Sequence, residues 1–150
     1  MTTQEAYQKA TARCAMREYC RYDWYTKFKQ QGLTAEEADT LVEQLVEEGY
    51  ICETRFARAF AHDKMLYGRT GRLLVRRELR AKGIEEGDIA AAFDAVNEEE
   101  YVEILRKLLK QKYAGVRARN DFEAQQKVAR YAISRGYEPD LVFRLLEHDE

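Results

Sequence analysis

Three glycines divide the chain into similar lengths, and they constrain its fold more than any other feature. Gly32, Gly83 and Gly136 lie 51 and 53 residues apart, and each is followed at once by Leu33, Ile84 or Tyr137. Eight positions before each glycine stand Trp24, Val75 and Val128, and four before stand Phe28, Leu79 and Ala132. Six after stand Ala38, Ile89 and Val142; nine after, Leu41, Ala92 and Leu145; ten after, Val42, Phe93 and Leu146. The positions before the glycine form one helical stripe, and those after it form the stripe of a second helix. The glycine supplies the left-handed residue that ends the first helix, and the apolar residue behind it closes over the last turn. A unit repeated in this way is one supersecondary element that buries its apolar face against its neighbours.

This register predicts helices near 4–31, 35–48, 52–66, 70–82, 86–96, 98–113, 120–135 and 139–148, and no strand. In the first unit Thr34 and Glu37 frame a capping box, and in the third Pro139 sits in a first helical turn. Gly49-Tyr50 ends the second helix, and the segment after it carries Phe56 and Phe60 at i, i+4. The helix after Asn97 begins with acids and ends with lysines, as the helix dipole favours. The stretch Gly68-Arg69-Thr70-Gly71 reads as a turn, not a phosphate loop. The fold expected is all-α: tandem three-helix repeats at 1–66 and 67–115, with a truncated third copy at 116–150.

Composition agrees with helix throughout. There is one Pro, and with Ser134 only one Ser, so no Ser-rich linker is present. Charged residues make up 35% of the chain, mean hydropathy is −0.66, and aromatic residues are too plentiful for a disordered chain. No apolar run approaches the roughly 20 residues of a membrane span. The N-terminus has neither the basic nor the apolar region of a secretion signal, so the expected location is the cytoplasm. Cys14, Cys20 and Cys52 are odd in number and lack metal-ligand spacing, which favours reduced thiols.

The net charge of −2 hides a blocked pattern. Residues 33–54 hold seven acids and no base, whereas residues 55–82 hold nine bases against Asp63 and Glu78. Acids return alone over 85–100, and bases dominate 101–119. On the helical wheel of 73–82, Val75 and Leu79 face inward, while Arg72, Arg76 and Arg80 form an adjoining stripe at i, i+4, i+8. Like charges at that spacing repel. A polyanion or acidic partner would relieve the repulsion, and so would acids from the neighbouring blocks of this chain. A second candidate, Arg17 to Lys29, interleaves bases with aromatics suited to stacking on nucleobases, although Trp24 and Phe28 already hold core positions.

Catalysis finds little support. His62 and His148 are the only histidines, neither has metal-site spacing, and one Ser gives no triad. Neither a nucleotide-binding motif nor a cofactor fingerprint occurs, so no catalytic, metal or cofactor residue is expected.

The runs GYICETRFARAF (Gly49 to Phe60) and YGRTGRLLVRRELRAKGI (Tyr67 to Ile84) resemble the RecX family of recombination regulators. So does the pattern of Arg17, Cys20, Asp23 and Trp24, where the family usually has Ser, Glu and Leu at the last three positions. Another departure is Cys52 in front of Glu53, where the family usually has an acidic pair. The resemblance implies an elongated, curved array of three-helix repeats. The partner it implies is the RecA filament, with its single-stranded DNA bound in the filament and only weakly alone. Members lie in the filament groove and modulate RecA, mostly by inhibiting its ATPase and strand exchange. On that reading the protein is a monomer and no enzyme, and Arg55, Arg58, Arg69, Arg72, Arg76, Arg77, Arg80 and Lys82 meet DNA phosphates or acidic RecA surface. Two alternatives are a helix-turn-helix module with 70–82 as its recognition helix, and a protein adaptor without nucleic-acid contact.

Overall fold

The computed structural model describes residues 1–148, and among them every regular element is helical. The helices are α1 (Thr3–Cys14), α2 (Arg21–Gln30), α3 (Ala35–Glu47), α4 (Glu53–His62), α5 (Arg72–Ala81), α6 (Glu86–Asp94), α7 (Glu98–Gly115), α8 (Asp121–Ser134) and α9 (Pro139–His148). A π-helical turn, Asp63–Tyr67, continues α4.

The glycine register is present as read. Gly32, Gly83 and Gly136 have φ of 92°, 78° and 96°, a region open to glycine and costly for other residues. At each, the amide of the following apolar residue donates to the carbonyl five positions earlier: Leu33 to Phe28, Ile84 to Leu79, Tyr137 to Ala132, at 3.1, 3.1 and 3.2 Å. This is the Schellman ending, which satisfies carbonyls the helix leaves open. All the flanking apolar positions are buried except Phe93, which is partly covered.

Two predicted boundaries need correction. The helix expected over 4–31 is broken between Cys14 and Arg21. Neither Gly nor Pro marks the break. Instead the Cys20 amide donates to Asp23 Oδ2 at 3.2 Å, starting a new helix. The break lets Tyr19 turn inward, where its ring lies 5.2 Å from that of Trp24. The helix expected over 52–66 is α-helical only to His62, beyond which the ladder widens and Gly68 N–H reaches Asp63 O at 2.9 Å.

The chain forms two compact units, Met1–Ala59 with Leu79–Ala91, and Phe60–Glu78 with the chain from Ala92 onward. The first is built on Trp24, Phe28, Leu33, Leu41, Leu45 and Ile51, with Ala6 and Ala10 of α1 laid against them. All three thiols are free, and burial pushes that of Cys20 up to about 12. The second unit buries Tyr101, Leu105, Val128, Ala132, Tyr137 and Val142. Its turn at Gly68–Gly71 is a packing device. The Gly71 amide donates to Arg135 O at 2.8 Å, and a Cβ at Gly71 would stand 2.2 Å from the Gly136 carbonyl carbon.

Candidate functional site

The basic block of 55–82 is divided between the two units, and its side chains are of two kinds. In the first unit Arg55 Nε lies 3.2 Å from both carboxylate oxygens of Glu18, and its Nη2 donates to Gly49 O at 3.1 Å. It therefore serves the end of α3. Arg80 donates through Nε and Nη2 to Glu86 Oε2, at 3.1 and 2.8 Å. Lys82 Nζ reaches Asp23 Oδ1 at 2.6 Å, with Asp23 only 11% exposed. Burial acts to raise the Asp23 carboxyl, but the hydrogen bonds from Lys82 and the Cys20 amide outweigh it and hold the group below its ordinary range. Beside it burial pushes Glu53 up, against the lowering effect of the Arg21 amide, which donates to Glu53 Oε1 at 3.3 Å.

In the second unit Arg72 is the centre of a closed network. Its Nη1 donates to Glu138 Oε2 at 2.8 Å, its Nη2 donates to Glu98, and its guanidinium lies 3.8 Å from the centre of the Tyr101 ring. The Tyr101 hydroxyl donates to Glu138 Oε1 at 2.6 Å and accepts from the Arg72 amide at 3.0 Å. Burial, then the bond to Glu138, hold the Tyr101 hydroxyl well above its ordinary value. Arg76 lies over the Phe93 ring at 5.2 Å. Arg69, at φ 48°, donates to Gln111 Oε1 at 3.0 Å.

Two of the eight arginine and lysine positions differ from the rest. Arg58 and Arg77 are exposed, and among the described residues they enter no hydrogen bond or ion pair. The acids that engage the others, Glu18, Asp23, Glu86, Glu98 and Glu138, come from outside the basic block. Glu138 and Tyr101 escaped the sequence reading, because nothing local marks a partner 66 or 29 residues from Arg72.

The aromatics of the Arg17–Lys29 stretch also divide. Tyr19, Trp24 and Phe28 are core residues, whereas Tyr22 is 51% exposed beside Lys82. No group of three His, Cys, Asp or Glu among the described residues is placed to hold a metal ion. No described helix is long and apolar enough to cross a membrane.

Comparison with known proteins places this geometry in a family. Residues 53–92 match the family model described as "RecX, second three-helix domain", and residues 98–146 match "RecX, third three-helix domain". Each match takes in three helices with the left-handed glycine between the second and third. The segmentation at 67–115 and 116–150 puts the same glycines after the first. A protein of Ectopseudomonas mendocina named "Regulatory protein RecX" is 33% identical over 88% of this chain and 86% of its own length. One of the same name from Stenotrophomonas maltophilia is 30% identical over 97% of this chain and 88% of its own. The fold is shared with a crystal structure of regulatory protein RecX, at TM-score 0.86 and 22% identity over 99% of this chain and 73% of that one. RecX from Lactobacillus salivarius superposes with a TM-score of 0.79 at 15% identity, over 97% of this chain and 94% of that one.

Proposed function

Because the chain belongs to the RecX family of regulatory proteins, we propose that it regulates the RecA recombinase by binding RecA filaments on single-stranded DNA. It restrains the filament's ATPase and strand exchange, and it acts as a cytoplasmic monomer without catalytic chemistry of its own. The observation that carries this reading is the match to named regulators along nearly the whole chain. The repeats at 1–66, 67–115 and 116–150 would present their charged faces to successive RecA subunits.

The site residues take unequal parts in this proposal. Arg58 and Arg77 are outward and uncompensated, and they are the first candidates for phosphate or acidic protein surface. Arg55, Arg69 and Arg80 are exposed and contribute at the edge of the contact, beside Arg76, which is held over the Phe93 ring. Arg72 and Lys82 act through the fold, since moving either would leave a half-buried carboxylate without its cation.

The test is RecA ATPase on single-stranded DNA with and without the protein. Inhibition is expected, and full activity at saturating protein would refute the regulator reading. Reversal of both Arg58 and Arg77 to Glu should weaken filament association. It should also lower the slope of log affinity against log salt by roughly 0.7 per lost phosphate contact. Sequence-specific binding to duplex DNA without RecA would instead favour the helix-turn-helix reading.

A further inference from the structure

A cleft of about 490 Å³ opens in the second unit between α7 and α8, lined by Arg69, Lys112, Lys127 and Tyr131 over a floor of Leu108, Val116 and Val128. Among the described residues no carboxylate belongs to its lining. We propose that this cleft binds an unpaired nucleotide of a nucleic-acid strand, with the phosphates held by Arg69, Lys112 and Lys127 and the base laid on the Tyr131 ring in place of the Lys112 ammonium, which turns to a phosphate.

Each cation is held in a way that leaves its charge available. Arg69 is met by the neutral carbonyl of Gln111 at 3.0 Å. Lys112 rests over the Tyr131 ring at 4.0 Å, with a π face where a carboxylate would be expected. Lys127 donates to the carbonyl of Arg117 at 2.7 Å, and the acid paired with it, Glu123 at 3.3 Å, is shared with Arg119. Three cations around one cavity repel each other unless an anion joins them. The fold nevertheless holds Arg69 here. Its φ of 48° is the only left-handed value at a non-glycine residue among those described, and Arg135 Nε grips its carbonyl at 3.2 Å. A strained backbone fixed by a neighbouring side chain fits a residue kept for contact.

The cleft also selects among anions. Lys127 and Tyr131 are one helical turn apart on α8, so phosphate-binding charge and a flat ring face the same way. Leu108, Val116 and Val128 in the same lining suit the face of a base, a surface that a carboxylate side chain does not use. The volume falls within the roughly 300–1,000 Å³ of small-molecule sites. Stacking with phosphate contact is how single strands are held without regard to sequence.

This inference rests on the nucleic-acid half of the proposed function and not on RecA, so it is tested with RecA absent. The full chain is titrated against a fluorescein-labelled oligothymidine at low salt and followed by anisotropy. Lys112→Glu should lower affinity at least tenfold, with Lys112→Gln intermediate and both retaining wild-type circular dichroism. Tyr131→Ala should weaken binding roughly 5- to 150-fold, the range of one lost stacking contact, while Tyr131→Phe leaves it unchanged. Photo-crosslinking with 5-iodouracil in the strand should map to Tyr131. Wild-type affinity in both Lys112→Glu and Tyr131→Ala would overturn the proposal. So would equal competition by an oligoglutamate peptide, which would make the cleft a protein site, or by thymidine monophosphate, which would make the strand unnecessary. If RecA ATPase is untouched while these variants lose the strand, the regulator reading fails and the cleft stands.

Discussion

Replacing Arg72 by Ala and, separately, Arg77 by Ala separates arginines that hold the fold from arginines free to meet a partner. The two side chains lie five positions apart on α5. Arg72 is 20% exposed and bonded to Glu138, itself 28% exposed, and to Glu98. A hydrogen bond between charged groups contributes about 1.5–3 kcal/mol, and stacking on Tyr101 adds about 0.5–1 kcal/mol. Two effects reduce that sum. Solvent screens what remains exposed, and after truncation Glu138 keeps the Tyr101 hydroxyl at 2.6 Å. The expected loss is therefore about 2–3 kcal/mol, or roughly 4–12 °C in Tm at this size. Arg77→Ala should stay within about 0.5 kcal/mol, as an exposed substitution does. Urea denaturation measures both, and an unchanged m-value would show that stability alone has moved. Glu138→Gln completes a double-mutant cycle, in which Arg72 and Glu138 should couple by about 1–2 kcal/mol. A loss below about 0.5 kcal/mol for Arg72→Ala, or an equal loss for Arg77→Ala, would refute the division of roles.

Two further substitutions probe the repeat and its charges. Gly83→Ala meets open space, so it should cost only the left-handed backbone, about 1–2 kcal/mol. Gly136→Ala should cost more, because its Cβ would stand 2.4 Å from that of Leu74; equal losses in thermal melts would contradict the packing account. The Asp23 carboxyl is held below the ordinary value of 3.8, so its contribution is complete above that pH and disappears as pH falls through the lowered value. Asp23→Asn should flatten the acid limb of a stability–pH curve measured by urea melts, and an unchanged limb would remove the Lys82 pair from the account.

What the sequence could reveal depended on whether the determinant was local. Left-handed backbone excludes most residues, so Gly32, Gly83 and Gly136 announced their turns, and the apolar positions around them gave the helix faces. The capping box at Thr34 was equally legible, since Glu37 Oε1 accepts from the Thr34 amide at 2.9 Å within one turn. The break before α2 was not. Cys20 stands just ahead of that helix, where the family usually has Ser, and a cysteine ahead of Asp23 did not read as a helix start. The π-helical turn at Asp63–Tyr67 had no signal in composition either. Charge was the least legible feature. The repulsion along Arg72, Arg76 and Arg80 was visible, but its relief by Glu98, Glu138 and Glu86 required the folded chain.

The repeat explains how internal pairing and outward charge arise on one scaffold. Two positions after each glycine the chain enters a helix, and the residues there are Thr34, Glu85 and Glu138. Thr34 uses its hydroxyl to cap, accepting from the Glu37 amide at 3.1 Å. Glu138 stands at the equivalent place but turns its carboxylate to Arg72 and Tyr101. Pro139 follows it and has no amide proton to be satisfied, so less capping is needed there. Eleven positions before the first two glycines stand Arg21 and Arg72, each the first residue of its helix. The amide of each donates to a side chain of a later helix, Glu53 or Tyr101. The backbone register is thus conserved between copies while side chains at matched positions take different partners. A basic residue at a register position facing another helix is drawn into the fold. One at an outward position, as Arg58 and Arg77 are, remains free to meet an anion. Position around the helix, more than charge density along the sequence, therefore separates Arg72, held by Glu98 and Glu138, from Arg77 five residues further along α5.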